Sequence, residues 1–463
     1  MKKPGSPQYG AHNKQKTAGT DVKQSTDGRL LNLTIDNLNS EGQGVARSGK
    51  DIYFVPGALP GESVSARLLG RARKIWNTRL VAVTEASPER TDPLCEHYQR
   101  CGGCDLQHLS YEAQLRFKQE RAARELSRQG VIVPQWQPPL QAEPWHYRRK
   151  ARLGVRFSKE QGNNFVGFRE ANSNHLTNIG RCPVLPEHPA LHWGEWRELI
   201  NTLIGRSHIT QIEPLWADNA LAFVLRVIRP LGAADVDGII GFLQTHAADD
   251  RPLQLWVREE KGGDARCLWP ENPETLWHEV AGMRLMISPE DFVQINPAVN
   301  RAMVAQALDW LAPQAEEVIW DLFAGHGNFS MPLATTAGSV TAVEVQDSMV
   351  QQLKQQAEGL ALPLQAVCAD LSEPQSLMSL AKPDAVLLDP PRAGAAEVMP
   401  QLIETRPGRI LYVSCDVATL ARDAGMLCEA GYAVQKAGIM DMFPQTHHVE
   451  TMLLLSDGRR RHG

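Results

Sequence analysis

The pattern of apolar and polar positions divides the chain into stretches of different character. Residues 1–27 are rich in Lys, Gln, Thr and Gly without periodicity, which predicts a disordered tail. Over residues 28–90, short apolar runs separated by Gly, Pro, Asn and Asp predict a small antiparallel barrel of the OB type. Residues 91–290 predict a central α+β domain, although residues 107–139 are candidates for packing with the domain that follows. We expect that last domain to span residues 291–463.

In this last stretch, apolar strands end in polar or reactive side chains. EVIWDLFAGHGNFS predicts a strand ending in Asp321, then a turn through Gly325 and Gly327, then a helix. The following strands end in side chains that can form hydrogen bonds or react, namely Glu344, Asp370, Asp389 and Cys415. Strands that alternate with helices in this way predict a doubly wound parallel sheet, a Rossmann-like α/β fold, with these side chains at its carboxyl edge.

The glycine-rich turn indicates a nucleoside cofactor. Glu344 ends the strand after the turn, where a carboxylate can hold ribose hydroxyls, and Asp370 suits the adenine amino group. The turn GHGNFS lacks a third glycine and a phosphate-binding Lys, which disfavours dinucleotides and triphosphates. The pattern therefore favours S-adenosylmethionine. A thiol at Cys415, beside this crevice, is placed for nucleophilic attack.

A cysteine cluster precedes the central domain's strands. Cys95, Cys101 and Cys104 lie close together in CEHYQRCGGC, and Cys182, in a Pro-rich loop, is the best candidate for a fourth ligand. Two glycines give the backbone the freedom to point several sulfurs inward. Four thiolates suit either zinc or an iron-sulfur cluster, and the spacing alone does not choose between them.

Composition excludes some classes of protein. The 463 residues are 43% hydrophobic and 22% charged, with a formal net charge of -5. These values are typical of a globular protein of several domains. No apolar run reaches the length of a membrane helix and no signal-peptide core follows the first lysines, so we expect a cytoplasmic protein that does not enter membranes. In a reducing compartment, the 8 cysteines are better explained as ligands, nucleophiles or packing residues than as disulfides.

Local basic segments are candidates for nucleic-acid contact. In the barrel, basic residues surround Trp76, which suits phosphate contact and base stacking as well as a solvated hairpin; they are Arg71, Arg73, Lys74 and Arg79. HYRRKARLGVRF (residues 146–157) carries five basic residues, a density that favours contact with a phosphate backbone. SYEAQLRFKQERAARELSRQG (residues 110–130) predicts a helix whose basic residues face solvent.

With these motifs the chain resembles the class I RNA uracil-5 methyltransferases, and within them the bacterial 23S ribosomal RNA enzymes that carry a four-iron four-sulfur cluster. The resemblance covers nearly the whole chain after the tail: a TRAM-like barrel, the cysteine quartet, DFVQINP, DLFAGHGNFS, DPPRAG, VSCDVATLARD and DMFPQTHHVETM. These motifs are specific in combination. The chain departs from the family at Asp416 and Asp370, where Asn is common, and in GHG, which replaces a more apolar turn.

The resemblance implies a role for each matching residue. The implied cofactor and target-base site consists of Gln294, Phe323, Asn328, Glu344, Asp370 and Asp389. The implied nucleophile is Cys415 and the implied base is Glu450. The implied ligands of a [4Fe-4S] cluster are Cys95, Cys101, Cys104 and Cys182. We expect a monomer that acts on 23S ribosomal RNA.

Uracil chemistry explains these residue types. Carbon 5 of uracil is a weak nucleophile, so a thiolate from Cys415 would first add to carbon 6 and form an enolate. Glu450 would remove the carbon 5 proton after methyl transfer, and without it the covalent adduct should accumulate. Asp389 is suited to hydrogen-bond the imide edge of uracil, and this contact would disfavour cytosine. The target base must be unstacked from its neighbours to reach the site.

Four other functions fit part of the sequence. A transfer-RNA uracil-5 methyltransferase shares the catalytic set, but the barrel and the cysteine quartet favour the ribosomal enzyme. An amino-directed DNA methyltransferase normally has an aromatic residue after DPP, where Arg392 stands. A radical enzyme would show three cysteines in tighter spacing. A non-catalytic RNA-binding protein fits the barrel and the basic segments.

Overall fold

The structure is a computed structural model that describes residues 28–171, 173–248, 251–260, 262–373 and 377–459. The tail predicted over residues 1–27 lies outside the described residues. The described residues form two compact units, and the boundary between them lies at Arg90 and Thr91.

Within the described residues 28–90, six strands form one sheet. They are β1 (Leu30–Thr34), β2 (Asn37–Leu38), β3 (Gly44–Ser48), β4 (Asp51–Val55), β5 (Ser63–Ala72) and β6 (Ile75–Glu85). The strand order is β1-β5-β6-β4-β3-β2, and only the β4–β6 pair among these neighbours is parallel. Register shifts between β5 and β6 supply the bends that let a small sheet curl around its core of Val55, Val64 and Ala66.

The second unit begins with a helix and a mixed sheet. Its first elements are α1 (Tyr111–Arg128), β7 (Leu153–Ser158), β8 (Asn163–Arg169), β9 (Leu176–Asn178), α2 (Trp193–Thr202), β10 (Ile209–Trp216), β11 (Leu221–Val227), α3 (Ala233–Thr245), β12 (Leu253–Glu259) and β13 (Arg266–Trp269). In the described residues the strands run in the order β13-β12-β11-β10-β7-β8-β9. The parallel pair β11–β12 is joined through α3, while the other pairs are antiparallel. Trp193, Trp196 and Phe223 are fully buried in the core of this part.

A hairpin connects this part to a second seven-stranded sheet. β14 (Leu276–Val280) and β15 (Met283–Ile287) are antiparallel, and the two residues between them, Ala281 and Gly282, both have positive φ. Positive φ at both positions is the backbone geometry that joins antiparallel strands with matching twist.

The last part is a doubly wound sheet. Its elements are α4 (Pro297–Leu311), β16 (Val318–Leu322), α5 (Ser330–Leu333), β17 (Ser339–Glu344), α6 (Asp347–Gly359), β18 (Leu364–Cys368), β19 (Ala385–Leu388), α7 (Met399–Thr405), β20 (Arg409–Ser414), α8 (Val417–Glu429), β21 (Tyr432–Met440) and β22 (Glu450–Asp457). In the described chain the strand order is β18-β17-β16-β19-β20-β22-β21. The first five are parallel, and β22 is antiparallel to both of its neighbours. The order reverses between β16 and β19, which is where such sheets form a ligand crevice.

Helices cover both faces of this sheet. One core includes Met303, Val304 and Leu311 of α4, and the other includes Leu420 and Leu427 of α8. α1 packs against α8 and β21, although it precedes the central sheet in the sequence. The predicted fold class is confirmed, with a barrel, a central α+β part and a Rossmann-like sheet. No helix among the described residues has both the length and the apolar character needed to cross a bilayer.

Candidate active site

The turn after β16 is shaped by left-handed backbone. Phe323, Gly325 and Gly327 have φ values of 65°, 56° and 87°. A Cβ at Gly327 would lie 2.5 Å from Cδ1 of Leu353 in α6, so both the packing and the backbone require glycine there. Phe323 adopts this conformation despite its side chain, a strain that is common at functional sites.

Glu344, the last residue of β17, is fixed against this turn. Its carboxylate accepts hydrogen bonds from the backbone N of Gly325 at 3.1 Å, of Val345 at 2.9 Å and of Gln346 at 3.0 Å. A carboxylate has about four acceptor positions, so one remains for a ligand hydroxyl. The predicted pairing of the turn with the acid at the end of the next strand is therefore present in the structure.

α4 supports the other side of the turn. The side-chain amides of Asn328 and Asn300 exchange hydrogen bonds of 2.9 and 3.0 Å. Asn296 caps α4 by accepting a hydrogen bond from the backbone N of Val299 at 3.2 Å. Gln294 is half-buried two residues before this cap. The loop that carries Gln294 and the turn that carries Asn328 are thus held by one helix.

We call the carboxyl edge of the sheet that carries the turn after β16, Glu344 and Asp370 the cofactor edge, and its outer part is more open. Asp370 lies two residues beyond β18 and is exposed. Hydrogen bonds from Ser372 lower the pKa of the Asp370 carboxyl, so it is ionised near neutral pH. The ionised Asp370 carboxylate therefore lies at the same edge of the sheet as Glu344.

A buried acid lies beneath the turn. Asp321 of β16 is almost fully buried, and the hydroxyl of Ser330 donates a hydrogen bond to its Oδ2. Burial raises the pKa of Asp321 to about 7, against the hydrogen bond from Ser330. Its Oδ1 is buried without a hydrogen-bond partner.

A thiol and two acids meet beside the cofactor edge. Cys415 directly follows β20, Asp389 directly follows β19, and Glu450 begins β22. Ser414 pairs with Thr451 across β20 and β22, and this register brings the ends that carry Cys415 and Glu450 side by side.

The environment of this group favours neutral side chains. Burial, together with the nearby carboxyls of Glu450 and Asp389, raises the pKa of Cys415 to about 11. Burial and the charge of Asp389 raise the pKa of Glu450 to about 8, and burial raises that of Asp389 to about 7. Oε2 of Glu450 is buried without a hydrogen-bond partner. Acids with pKa values near neutrality beside a thiol are typical of a catalytic site.

Two features oppose the raised pKa of the thiol. The charge of Arg392 lowers the pKa of Cys415. In addition, α8 begins two residues after Cys415, and the N-terminus of a helix favours a thiolate. Asp416 caps α8 by accepting hydrogen bonds from the backbone N of Ala418 at 3.0 Å and Thr419 at 3.1 Å. Asp and Asn cap helices about equally well, so Asp416 can position this turn as an Asn would, but its charge also raises the pKa of Cys415.

The loop after Asp389 is anchored by a residue that we did not single out from the sequence. Asp423 of α8 is fully buried and accepts hydrogen bonds from the backbone N of Ala395 at 2.8 Å and the Tyr412 hydroxyl at 2.7 Å. Gly394 has φ 81°, and a Cβ there would lie 2.7 Å from Oδ2 of Asp423. In the sequence, the Arg-Asp pair that ends VSCDVATLARD is the feature that could have drawn attention to Asp423.

The four clustered cysteines also come near one another. Burial is the main cause that raises the pKa of Cys104 to about 12 and of Cys182 to about 11. The charges of the neighbouring cysteines raise these pKa values further. The sulfurs receive hydrogen bonds from the Gln107 side chain and from the backbone of Gly103 and Val184. Within the described residues, no group of three His, Cys, Asp or Glu side chains is arranged to hold a single metal ion.

The CGGC turn is fitted closely against the central sheet. The backbone N of Gly102 donates to the carbonyl of Arg169 at 2.9 Å, at the end of β8. A Cβ at Gly102 would lie 3.0 Å from Cα of Ala171, so a larger residue would displace the turn. The first glycine of CGGC is therefore required by the close approach of two backbones.

Several basic residues that suggested phosphate contact are paired with groups of the protein itself, two of them away from solvent and Arg152 at the surface. Arg149 is buried and bonds Asp218 at 2.7 Å, Lys150 donates to the carbonyl of Asp291 at 2.5 Å, and Arg152 pairs with Glu213 at 2.8 Å. These side chains hold the central part together. In the helix α1, Lys118 is fully buried, so the expectation of a wholly solvated basic face was wrong.

The fold and the site define a class I methyltransferase: a parallel sheet with an antiparallel β22, a glycine-rich turn after the first strand and an acid at the end of the second. Family models match three stretches of the chain. They are described as the TRAM domain (residues 24–69), a precorrin methyltransferase domain (residues 292–417) and tRNA (uracil-5-)-methyltransferase (residues 377–458).

Curated relatives identify the particular family. A protein of Shewanella frigidimarina is 38% identical over 437 residues, covering 92% of this chain and 95% of the relative. One of Pseudomonas syringae pv. tomato is 40% identical over 447 residues, covering 95% of this chain and 97% of the relative. Both are named 23S rRNA (uracil(1939)-C(5))-methyltransferase RlmD, and the chain belongs to this family.

A solved structure supports the same fold. The Pyrococcus abyssi tRNA (uracil-54, C5)-methyltransferase, in complex with S-adenosyl-L-homocysteine, superimposes with a TM-score of 0.72. The match covers 92% of this chain and 100% of that chain at 23% identity. At this level of identity the comparison establishes the fold.

Proposed function

We propose that this protein transfers a methyl group from S-adenosylmethionine to carbon 5 of a uridine in 23S ribosomal RNA, at the position corresponding to the 1939 of its relatives' names. The observation that carries the proposal is the grouping of Cys415, Asp389 and Glu450 beside the cofactor edge. This grouping provides a nucleophile, a base and a hydrogen-bonding acid within one crevice.

The cofactor edge fits S-adenosylmethionine. The methyl group arrives on a sulfonium, whose positive charge makes the carbon electrophilic. We assign Glu344 to accept hydrogen bonds from the ribose hydroxyls and Asp370 to accept one from the adenine amino group. Gln294, Phe323 and Asn328 complete the lining of the turn, where α4 and the left-handed backbone hold their positions.

The Cys415 sulfur attacks carbon 6 of the target uracil, and the carbon 5–carbon 6 electron pair forms an enolate. The thiol proton passes to solvent water before the attack, which leaves Glu450 free to take the carbon 5 proton later, and the Arg392 charge and the α8 N-terminus favour the resulting thiolate. Carbon 5 then takes the methyl group as its bond to the sulfonium sulfur breaks. Asp389, with a pKa of about 7, can present either a donor or an acceptor to the uracil edge.

Glu450 completes the reaction. Its carboxylate takes the proton from carbon 5, the double bond forms again, and the bond between carbon 6 and Cys415 breaks. A pKa of about 8 suits this step because a base is most effective when its pKa lies near the working pH.

The cysteine quartet fits an iron-sulfur cluster. A [4Fe-4S] cluster takes four thiolates, one at each iron, and N–H groups directed at the sulfurs are the contacts that stabilise such ligands. Cys95, Cys101, Cys104 and Cys182 are buried or half-buried, and each receives such hydrogen bonds. When bound, the cluster would link the turn before α1 to the loop at Cys182 and contribute folding energy.

RNA contact is assigned first to the barrel. Arg73, Lys74 and Arg79 are exposed around Trp76, and Arg71 stacks on the Trp76 ring at 5.1 Å to its centroid. These residues suit phosphate contact with base stacking.

The domain boundaries at residues 90 and 290 stay predictions. The monomeric state of the protein also stays a prediction.

The test uses labelled S-adenosylmethionine with 23S ribosomal RNA and, separately, transfer RNA. We expect label in 23S RNA alone, none with Cys415→Ala, and normal activity with the control Cys428→Ala, whose thiol lies in α8. RNA with 5-fluorouracil at the target should form a stable covalent complex, since no proton can be removed from carbon 5. Labelling of transfer RNA instead would make the chain a transfer-RNA enzyme. Activity of Cys415→Ala would refute the covalent mechanism.

The cluster has its own test. Protein purified without oxygen should contain about four irons per chain and absorb visible light, and Cys104→Ser should lose iron, whereas Cys267→Ser should not. Retention of zinc in place of iron would refute the assignment.

A further inference from the structure

The connection between β21 and β22, residues 441–449, delivers Glu450 to the site, and we call it the base loop. Met440 and Glu450 pair across the two strands at its ends. The position of the Glu450 carboxyl therefore depends on how this loop is held.

The residues directly after Cys104 hold the base loop. The backbone N groups of Asp105 and Leu106 donate to the carbonyl of Gln445 at 3.1 and 3.0 Å. The Asp105 carboxylate accepts from the backbone N of His447 at 2.7 Å and contacts the His447 Nδ1 at 2.5 Å. The residue that follows a clustered cysteine thus binds two positions of the loop.

The helix α1 continues this attachment. The side chain of Gln114 bonds Gln445 twice, through its Nε2 to the Gln445 side chain at 3.1 Å and through its Oε1 to the Gln445 backbone N at 3.0 Å. The Lys118 Nζ bonds Asp441 at 2.6 Å, and both side chains are fully buried. One continuous segment from the cysteine turn therefore contacts the base loop from its first residue to its seventh.

We propose that the segment 104–118 positions the base loop, and that Asp105 is a positioning residue for Glu450. The inference rests on the proposed function, because the role of Glu450 as the base belongs to it. Cys104 and Asp105 are neighbours in the chain. A restraint on the backbone at Cys104 therefore also restrains Asp105, and through the contacts of Asp105 it restrains the base loop. The cysteine site then acts on catalysis without touching the substrate.

The test compares Asp105→Asn with the control Asp92→Asn. The control removes an exposed carboxylate that precedes Cys95 in the sequence. Asp105→Asn should make amide hydrogen exchange in the base loop faster. It should lower kcat by about tenfold to a hundredfold with KM for RNA unchanged, since small misplacements have effects of this size. It should also accumulate the covalent protein–RNA adduct, because only removal of the carbon 5 proton is impaired. Asp92→Asn should match the wild type in all three.

Unchanged exchange in the base loop, or a kcat loss without adduct, would overturn the proposal. If Asp105→Asn does not fold, His447→Gln removes only the side-chain half of the contact and should give the same pattern. Cys104→Ser should increase exchange in the base loop, and Cys368→Ser should not. Failure of the proposed function would give a different result. The wild-type protein would then methylate no RNA, while Asp105→Asn would still show faster hydrogen exchange in the base loop than Asp92→Asn.

Discussion

The substitution Glu450→Gln measures how strongly burial raises the pKa of this carboxyl, the base in the proposed reaction. Burial and the Asp389 charge raise the pKa of Glu450 from 4.5 to about 8. The folded protein therefore holds this proton more tightly than the unfolded chain, and stability falls as pH rises through that window. At about 1.36 kcal/mol per pKa unit, the loss is about 3 kcal/mol near pH 7 and about 5 kcal/mol above pH 9. Gln does not ionise, so the variant lacks this loss.

The assay is urea unfolding of both proteins at about pH 5.5 and about pH 8.5. The variant's advantage in the free energy of unfolding should grow by about 3 kcal/mol between these values. The control Glu429→Gln changes an exposed carboxylate of α8 and should show no such growth. A pH-independent difference for Glu450→Gln would mean that Glu450 ionises as freely in the folded protein as in the unfolded chain. The same variant should trap the RNA adduct.

Three further experiments have definite expected outcomes. Since the pKa of Cys415 is about 11, its alkylation by iodoacetamide, mapped by mass spectrometry, should be slow near neutral pH and rise about tenfold per pH unit below that value; a rate independent of pH would contradict it. Lys118→Met should lower the free energy of unfolding by about 3–5 kcal/mol because it leaves Asp441 buried and unpaired; adding Asp441→Leu should recover most of the loss, and no recovery would count against this explanation. Glu344→Gln should weaken binding of S-adenosylhomocysteine about tenfold by calorimetry, from loss of about 1.4 kcal/mol of charged hydrogen bonding, whereas unchanged affinity would remove Glu344 from the site.

The C-terminal sheet was predictable because its strands are buried on both faces. Continuous apolar runs such as VIWDL and RILYVS carry that signal directly, and each polar residue at a strand end falls on the carboxyl edge. The order of β21 and β22 was not predictable, since it depends on pairing with β20 far along the chain.

The basic residues show where local patterns fail. Arg149 and Lys150 read as surface charges in a basic run, but their partners lie in other elements, at Asp218 and Asp291. Lys118 lies on a helix rich in charged residues, and its partner Asp441 is 323 positions away. A single sequence does not show which charges meet across such separations, so charge density alone overstates the RNA-binding surface.

Two buried acids of the site combine an oxygen without a hydrogen-bond partner with a raised pKa. Oδ1 of Asp321 and Oε2 of Glu450 are buried without a hydrogen-bond partner, although a buried group in this state costs about 1–3 kcal/mol. Both atoms belong to acids whose pKa values lie near neutrality, and both acids lie on strands of the same sheet. Proteins keep such groups where binding or chemistry requires them. At Asp321 and Glu450 the unpaired oxygen and the raised pKa therefore share one cause, the burial of a carboxyl group.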